Sequence, residues 1–180
     1  MNNRLIQKLK KIKLIISDVD GVLTDGSIYI GSNGEEMKKF SVEDGAGVAL
    51  ARASGLIIAL LSGRFSSATD IRAKELKIED IYNGMLNKIP AYEELKRKYN
   101  LEDSEIVYIG DGIIDIPVME KAGIPVSVKN AHPTAKETAV YVTDKSGGSG
   151  ALQETIELVL KAQNQYDNAI NKMREKALNL

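Results

Sequence analysis

Between residues 14 and 143, short apolar or β-branched runs alternate with helix-like stretches, and this alternation restricts the fold more than any other feature. The runs are Leu14 to Ser17, Leu56 to Leu61, Ile106 to Ile109, Pro125 to Val128 and Ala139 to Thr143. The helix-like stretches are Gly45 to Ala53, Ser66 to Leu76, Lys88 to Tyr99, Ile116 to Ala122 and Pro133 to Thr138. A strand with one wet face alternates apolar and polar side chains, whereas these runs are apolar throughout, as strands buried on both faces are. The order therefore predicts an α/β chain built on a doubly wound, Rossmann-like parallel sheet. At 180 residues there is enough chain for one full core and too little for two, so a single domain over 1–180 is expected.

Two segments depart from the rhythm. Residues 26–42, GSIYIGSNGEEMKKFSV, read as strand, Gly-Ser-Asn-Gly turn and strand, which predicts a small β-hairpin inserted after the first strand. Its place is the side on which α/β sheets bind ligands, so it is expected as a flap, an oligomer contact or a plain surface hairpin. From Ala151 to about residue 178, Leu152, Ile156, Val159, Tyr166, Ile170 and Met173 recur at helical spacing, interrupted at Gln163. They predict one long amphipathic C-terminal helix, its stripe packed on the chain's own sheet or on a partner subunit.

Composition removes several function classes. There is no cysteine, which excludes disulfides, thiolate metal sites and cysteine nucleophiles. The single histidine, His132, excludes a multi-histidine zinc site within one chain and is expected to structure a turn. A net charge of −1 gives no electrostatic case for nucleic acid or an anionic membrane. The stretch MNNRLIQKLKKIK is basic without the apolar centre of a secretory signal, and reads as a short solvated helix of a cytoplasmic protein.

The chemistry lies where apolar runs end. Asp18 and Asp20 follow the first, in LIISDVDGVLTDG; Ser62, Gly63 and Arg64 follow the second; Asn87 and Lys88 come after Ile81 and Tyr82; Asp111, with Asp115 four residues on, follows Ile109. A carboxylate buried at a strand end needs a cation, donors or water. Ligands of doubly wound sheets collect at the carboxyl ends of the strands. Carboxylates, a glycine-containing turn with a hydroxyl, and a lysine together suit phosphoryl transfer supported by Mg²⁺, which prefers oxygen ligands.

The ordered set DVDGVLTDG, LLSGR, NK and GDGIID resembles the four motifs of the haloacid dehalogenase-like phosphatases. FSVEDGAG, GDGIIDIPVME, NAHP, YVT and GGSGA extend a closer resemblance, over nearly the whole chain, to the family of phosphatases of 3-deoxy-D-manno-octulosonate 8-phosphate. The resemblance implies hydrolysis of a phosphorylated sugar acid for lipopolysaccharide, with relatives that act on nine-carbon keto-sugar acid phosphates. It implies Asp18 as nucleophile and Mg²⁺ ligand. Asp20 becomes general acid and base, with its carbonyl on the metal, and Asp111 the other ligand. Asp115 is placed behind these, orienting a ligand water or Lys88, with helix N-capping as its alternative. Ser62 and Lys88 would hold the phosphate. Ser41, Val42, Glu43, Asp44 and Gly45 match a substrate loop, and Gly63, Arg64 and Arg72 match further substrate positions, a surface ion pair being the alternative for Arg72. A homotetramer whose hairpins help cover the sites is implied as well. The chain departs from the pattern at Ala49 and Ser149, where arginine is usual, and at Gly112, where a second aspartate is usual. The GGSG segment is expected as a mobile gate or a linker. A non-catalytic regulatory domain is the reading from a different class.

Overall fold

The computed structural model describes residues 3–178. Helix α1 (Asn3–Leu9) leads into β1 (Leu14–Ser17), and the hairpin β2 (Tyr29–Ile30) and β3 (Glu36–Met37) follows. Next come α2 (Val42–Ser54), β4 (Ile57–Ser62), α3 (Ser67–Leu76), β5 (Asp80–Asn83), α4 (Ile89–Lys98) and β6 (Ile106–Gly110). The chain continues through α5 (Ile116–Met119), β7 (Ile124–Ser127), α6 (Pro133–Thr138) and β8 (Tyr141–Val142) to α7 (Ala151–Ala162) and α8 (Tyr166–Leu178).

Six strands form one parallel sheet in the order β5-β4-β1-β6-β7-β8. Counting sheet strands alone, the chain builds outward from β1 in one direction and then returns to build outward in the other. The reversal falls between β1 and β6, and a crevice opens there at the carboxyl ends. β1, β6 and β7 are strands for the expected reason, every residue in them being buried, whereas the last expected run is a strand only over β8, at the sheet edge, with Tyr141 half-buried and Val142 exposed.

The first crossover helix begins earlier than its apolar spacing predicts, at Val42 rather than Gly45. Ser41 Oγ accepts the Glu43 amide (3.1 Å), and Glu43 and Asp44 lie in the first turn, where acidic side chains meet the helix's positive end. The predicted single C-terminal helix is two helices. Asn164 takes the left-handed conformation that stops α7, with φ 56°. Gln163, which breaks the apolar stripe, donates from Nε2 to the carbonyls of Ile12 (2.7 Å) and Leu9 (3.2 Å). The chain then turns back and α8 packs on α2, as α7 does, so the stripe is covered within this chain. Nor is the basic N-terminus merely solvated: Leu9 is fully buried and α1 contacts α7, while Met1 and Asn2 lie outside the described residues. Among the described residues no helix is long and apolar enough to cross a membrane.

Candidate active site

The loop after β1 has a shape that its residues fix. The Val19 carbonyl accepts the amides of Val22, Leu23 and Thr24, winding the loop into a tight turn with the side chains of Val19, Val22 and Leu23 buried. Thr24 Oγ1 accepts the amides of Gly21 and Gly26, both at 3.2 Å. Gly21 has φ 92°, and a Cβ there would lie 2.1 Å from Asp111 Oδ2. Its lack of a side chain is what lets the β6 carboxylate approach the β1 loop. The GGSG segment packs onto the same loop: the Gly148 amide donates to the Val22 carbonyl (2.9 Å), and a Cβ on Gly147 would collide with the Gly21 carbonyl at 1.7 Å. Its glycines serve close packing, which corrects the expectation of a linker.

Lys88, at the start of α4, reaches under this loop with a side chain closed to solvent. Its Nζ donates to Asp18 Oδ1 (2.8 Å), Asp115 Oδ1 (2.6 Å) and Tyr108 Oη (3.1 Å). Asp115 is saturated. Its Oδ1 also accepts the Tyr108 hydroxyl (2.5 Å), and its Oδ2 accepts the amides of Asp111 (3.0 Å) and Gly112 (2.9 Å). It therefore orients Lys88 and the β6 turn, and its side chain does not cap α5, the alternative the sequence left open.

Asp18, Asp111 and Asp115 each place a carboxylate oxygen within 4.8 Å of the others. Burial drives the Asp18 carboxyl well above its usual range, against the pull of Lys88. Burial and the neighbouring Asp115 charge push Asp111 up to about 6. For Lys88, burial disfavours the ammonium, but Asp18 and Asp115 outweigh it and its pKa is raised. When ionised, three carboxylates face one ammonium, an excess of two negative charges. A divalent cation with an oxygen preference matches both the excess and the donors. With Asp115 saturated, Asp18 and Asp111 are the carboxylates left to hold it.

These groups open on a cleft of about 280 Å³ lined by Asp18, Asp20, Gly63, Arg64, Asp111 and Gly112, with Ile28, Leu86 and Ile114 as apolar walls. A larger depression of about 1020 Å³, bordered by Lys10, Lys13, Ser54 and Gln163, lies beside the opposite strand ends and away from the aspartates. The convergence of groups, and not volume, marks the site. Ser62 ends β4, and its Oγ donates to the Arg64 carbonyl (2.7 Å). Arg64 forms an ion pair with Glu36 of the hairpin.

The predicted substrate loop is placed elsewhere. Ser41 to Gly45 are the cap and first turn of α2, and none lines the cleft within this chain. Asp44 is buried and accepts the amides of Gln153 (3.1 Å) and Gly150 (3.3 Å), fastening the start of α7, while Glu43 pairs with Lys145 (2.7 Å). Val42 is 85% exposed. Arg72 takes the alternative of an ion pair, with Glu75 (2.8 Å), and also donates to the Ser41 carbonyl (3.0 Å). His132 structures a turn as expected: Nδ1 accepts the Thr134 amide (3.2 Å), and its own amide donates to the Asp111 carbonyl (2.8 Å).

Two groups escaped the sequence reading, Tyr108 and Lys38. Lys38 pairs with Asp20 at 2.7 Å. The signal was the strand period: Glu36 and Lys38 lie two apart, so one face of the hairpin turns both charges toward the site while Met37 faces out.

A family model described as haloacid dehalogenase-like hydrolase matches residues 56–154. The 3-deoxy-D-manno-octulosonate 8-phosphate phosphatase of Escherichia coli K12 is 44% identical over 165 residues, 92% of this chain and 88% of that protein. The crystal structure of the Moraxella catarrhalis phosphatase of the same name, in complex with magnesium ion, phosphate ion and KDO, superposes with a TM-score of 0.92 at 42% identity, covering 96% of this chain and 99% of that one. A HAD superfamily (subfamily III A) hydrolase from Legionella pneumophila superposes with a TM-score of 0.94 at 40% identity, covering 96% and 95%.

Proposed function

Since the chain belongs to the haloacid dehalogenase-like hydrolases, and within them to the 3-deoxy-D-manno-octulosonate 8-phosphate phosphatases, we propose that it hydrolyses that ester to the free sugar acid and phosphate through an aspartyl-phosphate. The observation that supports this best is the cluster of buried Asp18, Asp115 and Lys88 with half-buried Asp111 at the switch point of the sheet.

The residues then divide the work. Asp18 attacks phosphorus. Its Oδ1 is held by Lys88, which keeps the carboxylate in one orientation and meets the phosphate with positive charge. Asp20, on the cleft wall, gives its proton to the ester oxygen as that bond breaks, and then takes a proton from the water that hydrolyses the aspartyl-phosphate. Ser62 and the amides of the Gly63–Arg64 turn receive phosphate oxygens, with the Ser62 hydroxyl leaving the Arg64 carbonyl to do so. Asp18, Asp111 and the Asp20 carbonyl hold Mg²⁺, and Asp115 fixes the turn that carries Asp111. When bound, Mg²⁺ supplies the charge that lets one anion approach another. Arg64 leaves Glu36 to meet an anionic part of the substrate.

Phosphate release from 3-deoxy-D-manno-octulosonate 8-phosphate, beside a panel of sugar phosphates including nine-carbon keto-sugar acid phosphates, tests this. Release should require Mg²⁺, disappear in EDTA, and show its highest kcat/KM with the eight-carbon acid. Preference for a nine-carbon acid would keep the chemistry and move the substrate, consistent with Ala49 and Ser149. No release from any ester would leave the regulatory-domain reading.

The proposal also takes residues 1–180 as one domain of a cytoplasmic homotetramer. Ile28, Ile30 and Met37 of the hairpin segment and neighbouring Phe65 are each more than half exposed, a cluster of apolar surface that a monomer rarely presents. Packed between subunits, the hairpins would also bring Val42 and Arg72 toward a neighbour's cleft. Sedimentation should give a tetramer; a fully active monomer would reject the assembly.

A further inference from the structure

We infer that Lys38 positions the Asp20 carboxyl group for proton transfer to the leaving oxygen, and so couples seating of the hairpin to that step. The inference rests on the phosphatase reading above.

Lys38 follows β3 and enters the molecule beneath the hairpin. Its side chain is 2% exposed against 31% for Asp20. Nζ lies 2.7 Å from Asp20 Oδ1, 2.9 Å from Asp20 Oδ2 and 3.3 Å from Thr69 Oγ1. An ammonium has three donors, and these oxygens take them. Thr69 is itself buried in the first turn of α3, so the lysine hangs between the hairpin and a rigid helix. Asp20 lines the cleft and Lys38 does not. Lys38 therefore grips the carboxyl group from the side away from substrate, and its influence on the reaction passes through Asp20.

Such a grip matters because a proton donor works only within hydrogen-bond reach of the atom that receives the proton. Among the described residues no other side chain hydrogen-bonds the Asp20 carboxylate. Without Lys38 the carboxyl group is free to rotate about two bonds at the edge of the cleft. In the step it serves, the bond from Asp18 Oδ to phosphorus forms, the bond from phosphorus to the ester oxygen breaks, and the Asp20 proton goes to that oxygen. The alternative is that Lys38 only fastens the hairpin, as the ion pair of Glu36 with Arg64 does.

The two separate by leaving group. An alkyl ester such as the sugar phosphate expels an alkoxide that needs the proton, whereas p-nitrophenyl phosphate expels a stable anion that does not. Their kcat/KM values report events up to departure of that group and exclude the later hydrolysis. For Lys38→Met with Mg²⁺, kcat/KM should fall at least about tenfold more on the sugar phosphate than on p-nitrophenyl phosphate, with Lys38→Arg recovering part of the difference. Asp20→Asn, which removes the proton donor itself, should show the same difference between the esters, and adding Lys38→Met to it should widen that difference little. If Lys38→Met does not fold, Lys38→Gln is read in the same ratio. Equal losses on the two esters, or none, overturn the inference and leave the phosphatase reading intact. A wild-type protein inactive on both esters with Mg²⁺ overturns both.

Discussion

Asp18→Asn is expected to lower kcat by about 10⁴-fold or more without loss of the fold. The amide keeps the shape of the side chain but lacks the charged oxygen that attacks phosphorus, and it weakens one of the two carboxylate positions available to Mg²⁺. Stability should move the other way. Asp18 is 4% exposed, and burial raises its carboxyl well above the usual range, so ionising it in the unbound protein is unfavourable. The substitution removes that charge from a set of three carboxylates facing one ammonium. In EDTA the thermal midpoint of Asp18→Asn should therefore equal or exceed that of the parent, and Mg²⁺ should raise it less. Burial, with the neighbouring Asp115 charge, also sets a pH dependence at Asp111. The folded protein binds the Asp111 proton more tightly than the unfolded chain, with a pKa raised from 3.8 to about 6. The stability this contributes is full below the unfolded value and is lost as pH rises through that window. Mg²⁺ should restore what is lost.

Lys88→Met should have the largest effect on stability. The ammonium is wholly enclosed, and it is the cation between Asp18 and Asp115, whose side chains are 6% and 0% exposed. Breaking a buried pair by removing one partner costs about 3–5 kcal/mol, because the other charges stay buried and unmatched. For a chain of this size that is a fall in Tm of roughly 6–20 °C. Turnover should be lost as well, since the phosphate meets no lysine. Asp115→Asn made in the Lys88→Met background should recover much of the Tm and none of the turnover. Similar losses in the single and double variants would show that Lys88 does not act by balancing Asp115.

How legible each part was in the sequence follows from its surroundings. β1 and β6 are sealed on both faces, so their sequences have no polar interruption; the bounds of β1 read true and β6 runs one residue further, to Gly110. β5 borders the sheet and only Asp80 in it is buried, so its short apolar pair gave a segment without bounds. The chemistry at strand ends was legible at Asp18 and Asp111 because each follows an apolar run, and at Lys88 and Asp115 through the resemblance of the NK and GDGIID motifs. Lys38 was not, because a two-residue hairpin strand shows its period over very few positions. The C-terminal break was partly visible in Gln163. An apolar stripe shows which face of a helix is covered, but not that a glutamine will leave the stripe to bind the carbonyls of Leu9 and Ile12. Ser41 to Gly45 read as a substrate loop through the resemblance, and the apolar periodicity starts only at Gly45, although Ser41 followed by two acidic residues is itself a helix-start pattern.

The claim on which the rest depends is that Asp18 becomes phosphorylated. Turnover quenched in acid within milliseconds of mixing, followed by peptide mapping by mass, tests it directly. The account predicts one phosphoryl group on the peptide that carries Asp18, formed with Mg²⁺ and absent in Asp18→Asn. Phosphate release with no phosphoryl group on the protein, or with one on a peptide lacking Asp18, would contradict it.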